Sequence, residues 1–230
     1  NFNPLLRTCK TNYLAAAPNS PNGEMTKWQV PSASRVAIVL YVNTGIAPGL
    51  LVAAPSLSCP FFHHSVVLVV DHDAGGSFGF VINKLAGVAL DTLIDQMDIP
   101  RTVTTSLPVL MGGPVSPQSG WIVYDREEAL AAEGDEDRAL VIGDRLAFTA
   151  SLGVLEQMAH GDGPGRGVML LGYSGWSAGQ LEHEMQQGSW IPADLDLDLI
   201  FSTPVAERWA AALSAIGIDP GRMTAQVSSA

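Results

Sequence analysis

Apolar positions along the chain fall into short blocks with two different periods. The runs at 50–54, 65–71 and 78–82 are almost continuously apolar, the pattern of strands covered on both faces. The last two are separated by Asp73-Ala74-Gly75-Gly76, turn chemistry that predicts a hairpin. Gly167 to Leu171 reads as another buried strand, and Pro108 to Met111 and Trp121 to Tyr124 as strands flanking the Gly112-Gly113-Pro114 loop. Helical spacing takes over elsewhere. Leu90, Leu93, Ile94 and Met97 share a face before Pro100, and Ser151 caps a helix ending at Gly161. Thr203-Pro204 opens a helix whose Val205, Trp209, Leu213 and Ile216 share a face before Gly217. Ser177 followed by Gln180 is a capping-box pattern, so a helix is predicted directly after the 167–171 strand. Asp194 to Leu199 alternates strictly and predicts a strand with one wet and one buried face.

These blocks suit one domain. Residues 1–46 read as a flexible extension, with an Asn-, Pro- and Ser-rich tail over 1–35 and an additional strand over 36–42; the domain spans 47–223, and 224–230 fray. Seven acids and two arginines lie between Asp125 and Arg138, a solvated and flexible excursion. The longest apolar candidate for a membrane span, Val36 to Ala54, is broken by Asn43, Gly45, Pro48 and Gly49. No clean signal-peptide pattern surrounds Leu14-Ala15-Ala16-Ala17.

Charge narrows the function further. The formal net charge is −11 with twelve Lys and Arg, and Lys10, Lys27 and Lys84 are the only lysines. Nucleic-acid affinity rests on cationic contacts that release counterions, so direct DNA binding is disfavoured. Cys9 and Cys59 form no Cys-x-x-Cys pair, which indicates neither a disulfide scaffold nor a zinc site and fits a reducing cytoplasm. His63 and His64 are expected on opposite sides of a strand, and Asp194, Asp196 and Asp198 on a solvated face, so neither metal nor cofactor is expected.

Candidate chemistry gathers at four places. Gly172-Tyr173-Ser174-Gly175-Trp176 approaches a nucleophile elbow, but Trp176 occupies the position of its last glycine. A hydrolase built there needs His160 or His183 as base; otherwise Trp176 is a packed wedge. Gln180 and Glu184, one helical turn apart, offer an amide and a carboxylate to a cleft, or serve the helix start. Gly112 and Gly113 expose backbone N–H groups to an anion, or form a structural turn. Asn83 and Lys84 end a buried strand and deliver an amide and an ammonium.

Read in order, Gly49-Leu50-Leu51-Val52-Ala53-Ala54-Pro55, Phe62 with Ser65 to Leu68, Phe78 to Lys84, Gly112 to Val115, Gly172 to Glu184, Trp190-Ile191, Asp198 to Phe201 and Trp209 resemble the AlgH family, also called YqgE-like. The resemblance covers roughly 47–220. It implies an α/β fold of α+β type, a mixed bifurcated sheet with a small closed β-barrel surrounded by helices. It also implies a bacterial cytoplasmic protein, in a family whose name comes from a regulatory role in alginate production and many of whose members are described as transcriptional regulators. No agreed activity comes with the fold. The family pattern tolerates Ala at the position of Ser174 and usually has an acid where Cys59 stands; a neutral packed thiol is expected there. The resulting expectation is a cytoplasmic regulatory or binding module without assigned catalysis. Its binding residues would be Asn83, Lys84, Gly112, Gly113, Tyr173, Trp176, Gln180 and Glu184, and it would act on an unknown protein partner or small polar ligand. The alternative is a hydrolase-type enzyme using the 172–184 corner.

Overall fold

A computed structural model describes residues 45–127 and 139–219; the predicted N-terminal tail, the 36–42 strand, most of the acidic stretch and the C-terminal tail lie outside them. The strands are β1 (Gly49–Ala53), β2 (Val66–Asp73), β3 (Gly76–Val81), β4 (Val109–Met111), β5 (Val115–Asp125), β6 (Leu140–Ile142), β7 (Leu146–Thr149), β8 (Gly167–Ser177) and β9 (Trp190–Ala193). The helices are α1 (Leu90–Gln96), α2 (Leu152–His160), α3 (Gln180–Gln186), α4 (Leu197–Phe201) and α5 (Arg208–Ala215). None is long and apolar enough to cross a membrane.

The strands form one mixed sheet in the order β6-β7-β5-β8-β3-β2-β1-β9, with β4 branching off beside β8 as its parallel neighbour. The branch has a simple cause. Residues 174–177 of β8 pair with β3, while 169–171 pair with β4. From the last residue of β3 onward the chain bonds to β4 and the residue after it instead: Val81 N–H donates to Gly112 O (2.7 Å), Met111 N–H to Lys84 O (2.8 Å) and Ala86 N–H to Val109 O (2.9 Å). β4 is therefore a wedge between two strands that diverge.

Gly172 lets one strand serve both wings of this fork. Val168 and Leu170 face the largest apolar cluster, as an even-numbered register requires, yet Tyr173 packs against that same cluster and Trp176 enters a different one. A regular strand keeps even positions on one face. Gly172 sits at φ +68°, a left-handed conformation that inserts the extra step and turns the remainder of β8 over.

Three apolar clusters follow from this layout. One lies among the wings and under α4 and α5, with Leu68, Phe80, Leu170 and Leu213 at its centre. Another is held by β1, β2, β9 and α3 around Phe62, Trp176 and Trp190. The third packs α1 and α2 on β4, β5 and β8 through Ile94, Val154, Leu155 and Met169.

Four expectations need correction. The barrel is not closed: among the described residues β6 and β9 end the strand path unpaired with each other. Curling instead brings side chains together. β8 and β9 stand four neighbours apart, about 19 Å in a flat sheet, yet the rings of Trp176 and Trp190 meet edge to face at 5.9 Å. Asp194 to Leu199 is no strand. Asp196 accepts from Asp198 N–H (2.9 Å) and Leu199 N–H (3.1 Å), and this cap starts α4, overriding the alternation. The 167–171 strand does not stop at a corner either; β8 runs on through Ser177, and Gly179 is the N-cap of α3. Cys59 is packed beside Phe62 as expected, but its sulfur is disulfide-bonded, not a neutral thiol.

Candidate functional site

The predicted binding residues separate into three groupings. Gly112, Gly113 and Tyr173 lie where the end of β4 crosses β8. A Cβ on Gly112 would stand 2.5 Å from Gly172 O, and one on Gly113 would stand 2.0 Å from the carbonyl of Tyr173. Gly112 N–H donates to Leu171 O (2.7 Å), and Gly112 O accepts from Val81 N–H and from the Ser174 hydroxyl (3.2 Å). The polar groups of Gly112 are thus occupied by the fold. Tyr173 places its ring against Phe78, 4.9 Å between centroids.

Trp176, Gln180 and Glu184 form the second grouping. One oxygen of Glu184 accepts both indole N–H groups, from Trp176 (3.0 Å) and Trp190 (2.8 Å); the other accepts the Gln180 amide (3.0 Å). Gln180 in turn accepts Ser177 N–H through its own oxygen (3.1 Å), one half of the predicted capping box. The carboxylate thereby ties α3 to β8 and β9 at once. Two tryptophans around one acid was not foreseen, although Trp190 six residues after Glu184 was a visible signal.

Asn83 and Lys84 make the third grouping, with His63, His64 and Trp209. Asn83 accepts from Val66 N–H (2.8 Å) and donates to His64 O (2.8 Å), closing the turn that enters β2. His64 holds φ +53°, so the imidazoles of His63 and His64 do not diverge; they stack at 3.7 Å between centroids. His64 also stacks on Trp209 at 3.8 Å, whose indole is fixed by donation to Ala53 O (2.8 Å). The Lys84 ammonium donates to His63 O (3.1 Å). Burial lowers its pKa, and burial followed by the charges of His63 and Lys84 lowers that of His64. Next to this corner Arg208 is buried, donating to the carbonyls of Thr203 and Ile82, and burial lowers its pKa to about 10.

Because Asn83 satisfies two backbone groups, Asn83→Ala should cost about 1–3 kcal/mol. Urea unfolding monitored by circular dichroism checks this; a loss below about 0.5 kcal/mol would show that the turn holds without it.

The hydrolase arrangement does not assemble. Ser174 is fully buried and donates to Gly112 O. His160 Nδ1 is bonded at Glu156 O and His183 Nε2 at the Gln187 amide. A histidine–serine contact absent from the sequence reading does occur: His72 Nδ1 lies 2.8 Å from Ser77 Oγ, with Glu182 3.9 Å from its Nε2. The β2–β3 register pairs these two residues directly, so the hairpin turn was the signal for it.

A forked, curled α/β sheet, with glycine backbones in contact at the fork and a carboxylate clamping two tryptophans across the curl, defines a particular class of domain. The AlgH-like family model matches residues 50–221, and the chain belongs to that family. A UPF0301 protein of Stenotrophomonas maltophilia is 41% identical over 184 residues, covering 79% of this chain and 94% of the relative. A UPF0301 protein of Anaeromyxobacter dehalogenans is 37% identical over 182 residues, covering 76% and 90%. The solution structure of the AlgH protein from Pseudomonas aeruginosa superimposes with a TM-score of 0.62 at 31% identity, over 77% of this chain and 92% of that one. A crystal structure from Corynebacterium diphtheriae, protein DIP2367, gives 0.58 at 25% identity, over 74% and 86%.

Proposed function

We propose that this chain is a non-catalytic binding module of regulatory type. Its ligand-facing part would be the basic corner at the end of β3, not a cleft shared by all the candidate residues. The observation that carries this reading is the division of labour among them. Gly112, Asn83, Gln180 and Glu184 spend their polar groups on the fold, whereas Lys84 has a single backbone carbonyl and, among the described residues, no carboxylate partner. A half-buried ammonium without a counter-charge is suited to meeting an anion. Any regulatory effect on genes would then pass through a small molecule or a protein partner, since the net charge of −11 opposes contact with DNA.

A thermal-shift panel of nucleotides, sugar phosphates and dicarboxylates, run on the wild type and Lys84→Ala, tests the reading. A ligand at about 100 times its Kd should stabilise the native state by about 2.7 kcal/mol, raising Tm in the wild type and not in the variant. Lys84→Ala is the suitable variant because Asn83→Ala also weakens the turn. Shifts equal in both proteins would move the site elsewhere. No shift across the panel, together with no partner retained in pull-downs, would end the binding-module reading.

A further inference from the structure

The turn that leads into β2 carries a non-glycine residue in the left-handed region. His64 adopts φ +53° and is held there by both ends of the Asn83 amide, which bond to Val66 N–H and His64 O. Such a conformation costs of the order of 1 kcal/mol or more and clusters at sites where geometry serves binding. Its effect here is specific: it lays the His64 imidazole flat on the fixed Trp209 indole and lays His63 on His64.

The result is a ladder of three parallel rings, Trp209, His64 and His63, tilted by 24° and 27° at the two steps. Its inner end is anchored through the Trp209 indole N–H on Ala53 O. Its outer end is His63, which is solvent-exposed and whose one aromatic neighbour among the described residues is His64. His63 is itself pinned by Nδ1 on Leu57 O (3.0 Å) and by its backbone N–H on Cys59 O (2.8 Å). Rigid stacked rings whose outermost member is solvent-exposed form a platform for another flat ring, and such stacking does not depend on which heterocycle arrives.

Charge lies beside the ladder. Lys84 donates to the carbonyl of His63, so the ammonium and the outermost ring are fixed to the same residue. Among the described residues no acid forms an ion pair with Lys84, His63 or His64, although acids outnumber Lys and Arg by 23 to 12 in the whole chain. An ammonium that no carboxylate pairs with among the described residues is suited to an incoming anion.

We propose that the His63–His64–Lys84 corner binds a phosphorylated ring compound of the mononucleotide class, its heterocycle extending the stack on His63 and its phosphate meeting the Lys84 ammonium. This names a ligand class for the corner identified above and so rests on the binding-module reading. Both parts of such a ligand are required: the ring supplies stacking, and the phosphate supplies a charge-assisted contact.

The test titrates the full chain with adenosine monophosphate, adenosine and inorganic phosphate, following tryptophan fluorescence and isothermal titration calorimetry. Expected are saturable binding of the nucleotide, at least about tenfold weaker binding of each fragment, and a loss of about tenfold in both His63→Ala and Lys84→Ala. Circular dichroism melts of the two variants check that they fold. Inorganic phosphate binding as tightly as the nucleotide would reduce the corner to a plain anion site and overturn the proposal. Nucleotide affinity indifferent to both substitutions, or no saturable binding up to millimolar nucleotide, would overturn it as well. If the wild type ignores the nucleotide yet responds to another panel member through Lys84, this inference fails and the binding-module reading stands.

Discussion

Gly113→Ala should be among the most damaging single substitutions in this chain. The added methyl would lie 2.0 Å from both the carbonyl carbon and oxygen of Tyr173 and 2.4 Å from Ser174 N, all of them backbone atoms. Side-chain rotation cannot relieve contacts with main chain, and β8 is held on both edges here, by Val115 on Tyr173 and by Gly79 on Ser174. Either the end of β4 or the centre of β8 must move, and both belong to the fork. We expect a loss of about 3 kcal/mol or more, read as a fall in Tm of about 6–12 °C for a domain of this size. Gly188→Ala is the natural control. It removes a glycine at φ +72° with open space around its Cβ, so it reports left-handed strain alone, about 1 kcal/mol. Equal melts for the two variants would show that the close approach at Gly113 carries no special weight.

The same glycines mark what the sequence could and could not convey. The β2–β3 hairpin, the α2 helix with its Ser151 cap and Gly161 end, and the strand pattern around 167–171 were readable because local period and turn chemistry agree there. Gly112-Gly113 and Gly172 were visible as special, but their partners are each other, some sixty residues apart, and periodicity carries no information about that distance. A glycine that makes room for backbone and a glycine that makes room for a ligand look identical in sequence. Asp194 to Leu199 failed for a different reason: a cap at Asp196 and the burial of both Leu199 and Ile200 favour one short helix over the strand that alternation suggests. The His63–His64 pair failed because facing apart presumes extended backbone, and the left-handed φ at His64 removes that premise. Asn83 and Lys84 were read together as an amide and an ammonium following a buried strand, whereas the ring ladder beside Lys84 depends on Trp209, a residue assigned to a packing helix.

Glu184 carries the second large effect, and its substitutions separate charge from hydrogen bonding. In Glu184→Ala two indole N–H groups and one amide lose their acceptor together, on rings that are themselves mostly buried. Leaving such donors unpaired costs about 1–3 kcal/mol each when water is excluded; partial access to solvent brings the expected total to about 3 kcal/mol. Glu184→Gln should be much milder. Its carbonyl oxygen can take the place of the oxygen that receives both indoles, leaving its NH2 facing the amide of Gln180. Gln180 could accept that donor only by flipping, which would surrender its bond from Ser177 N–H, so one contact is lost either way, about 1 kcal/mol. Urea unfolding followed by tryptophan emission measures both variants on the rings concerned. A small loss in Ala would mean that packing of Phe62, Trp176 and Trp190 alone holds the curl. A loss in Gln as large as in Ala would mean that the negative charge, not acceptor geometry, is what the two indoles require. The predicted order, Ala well below Gln and Gln slightly below wild type, identifies the carboxylate as the hydrogen-bonded clasp that joins β8 to β9 across the curl, although the two strands are not paired with each other.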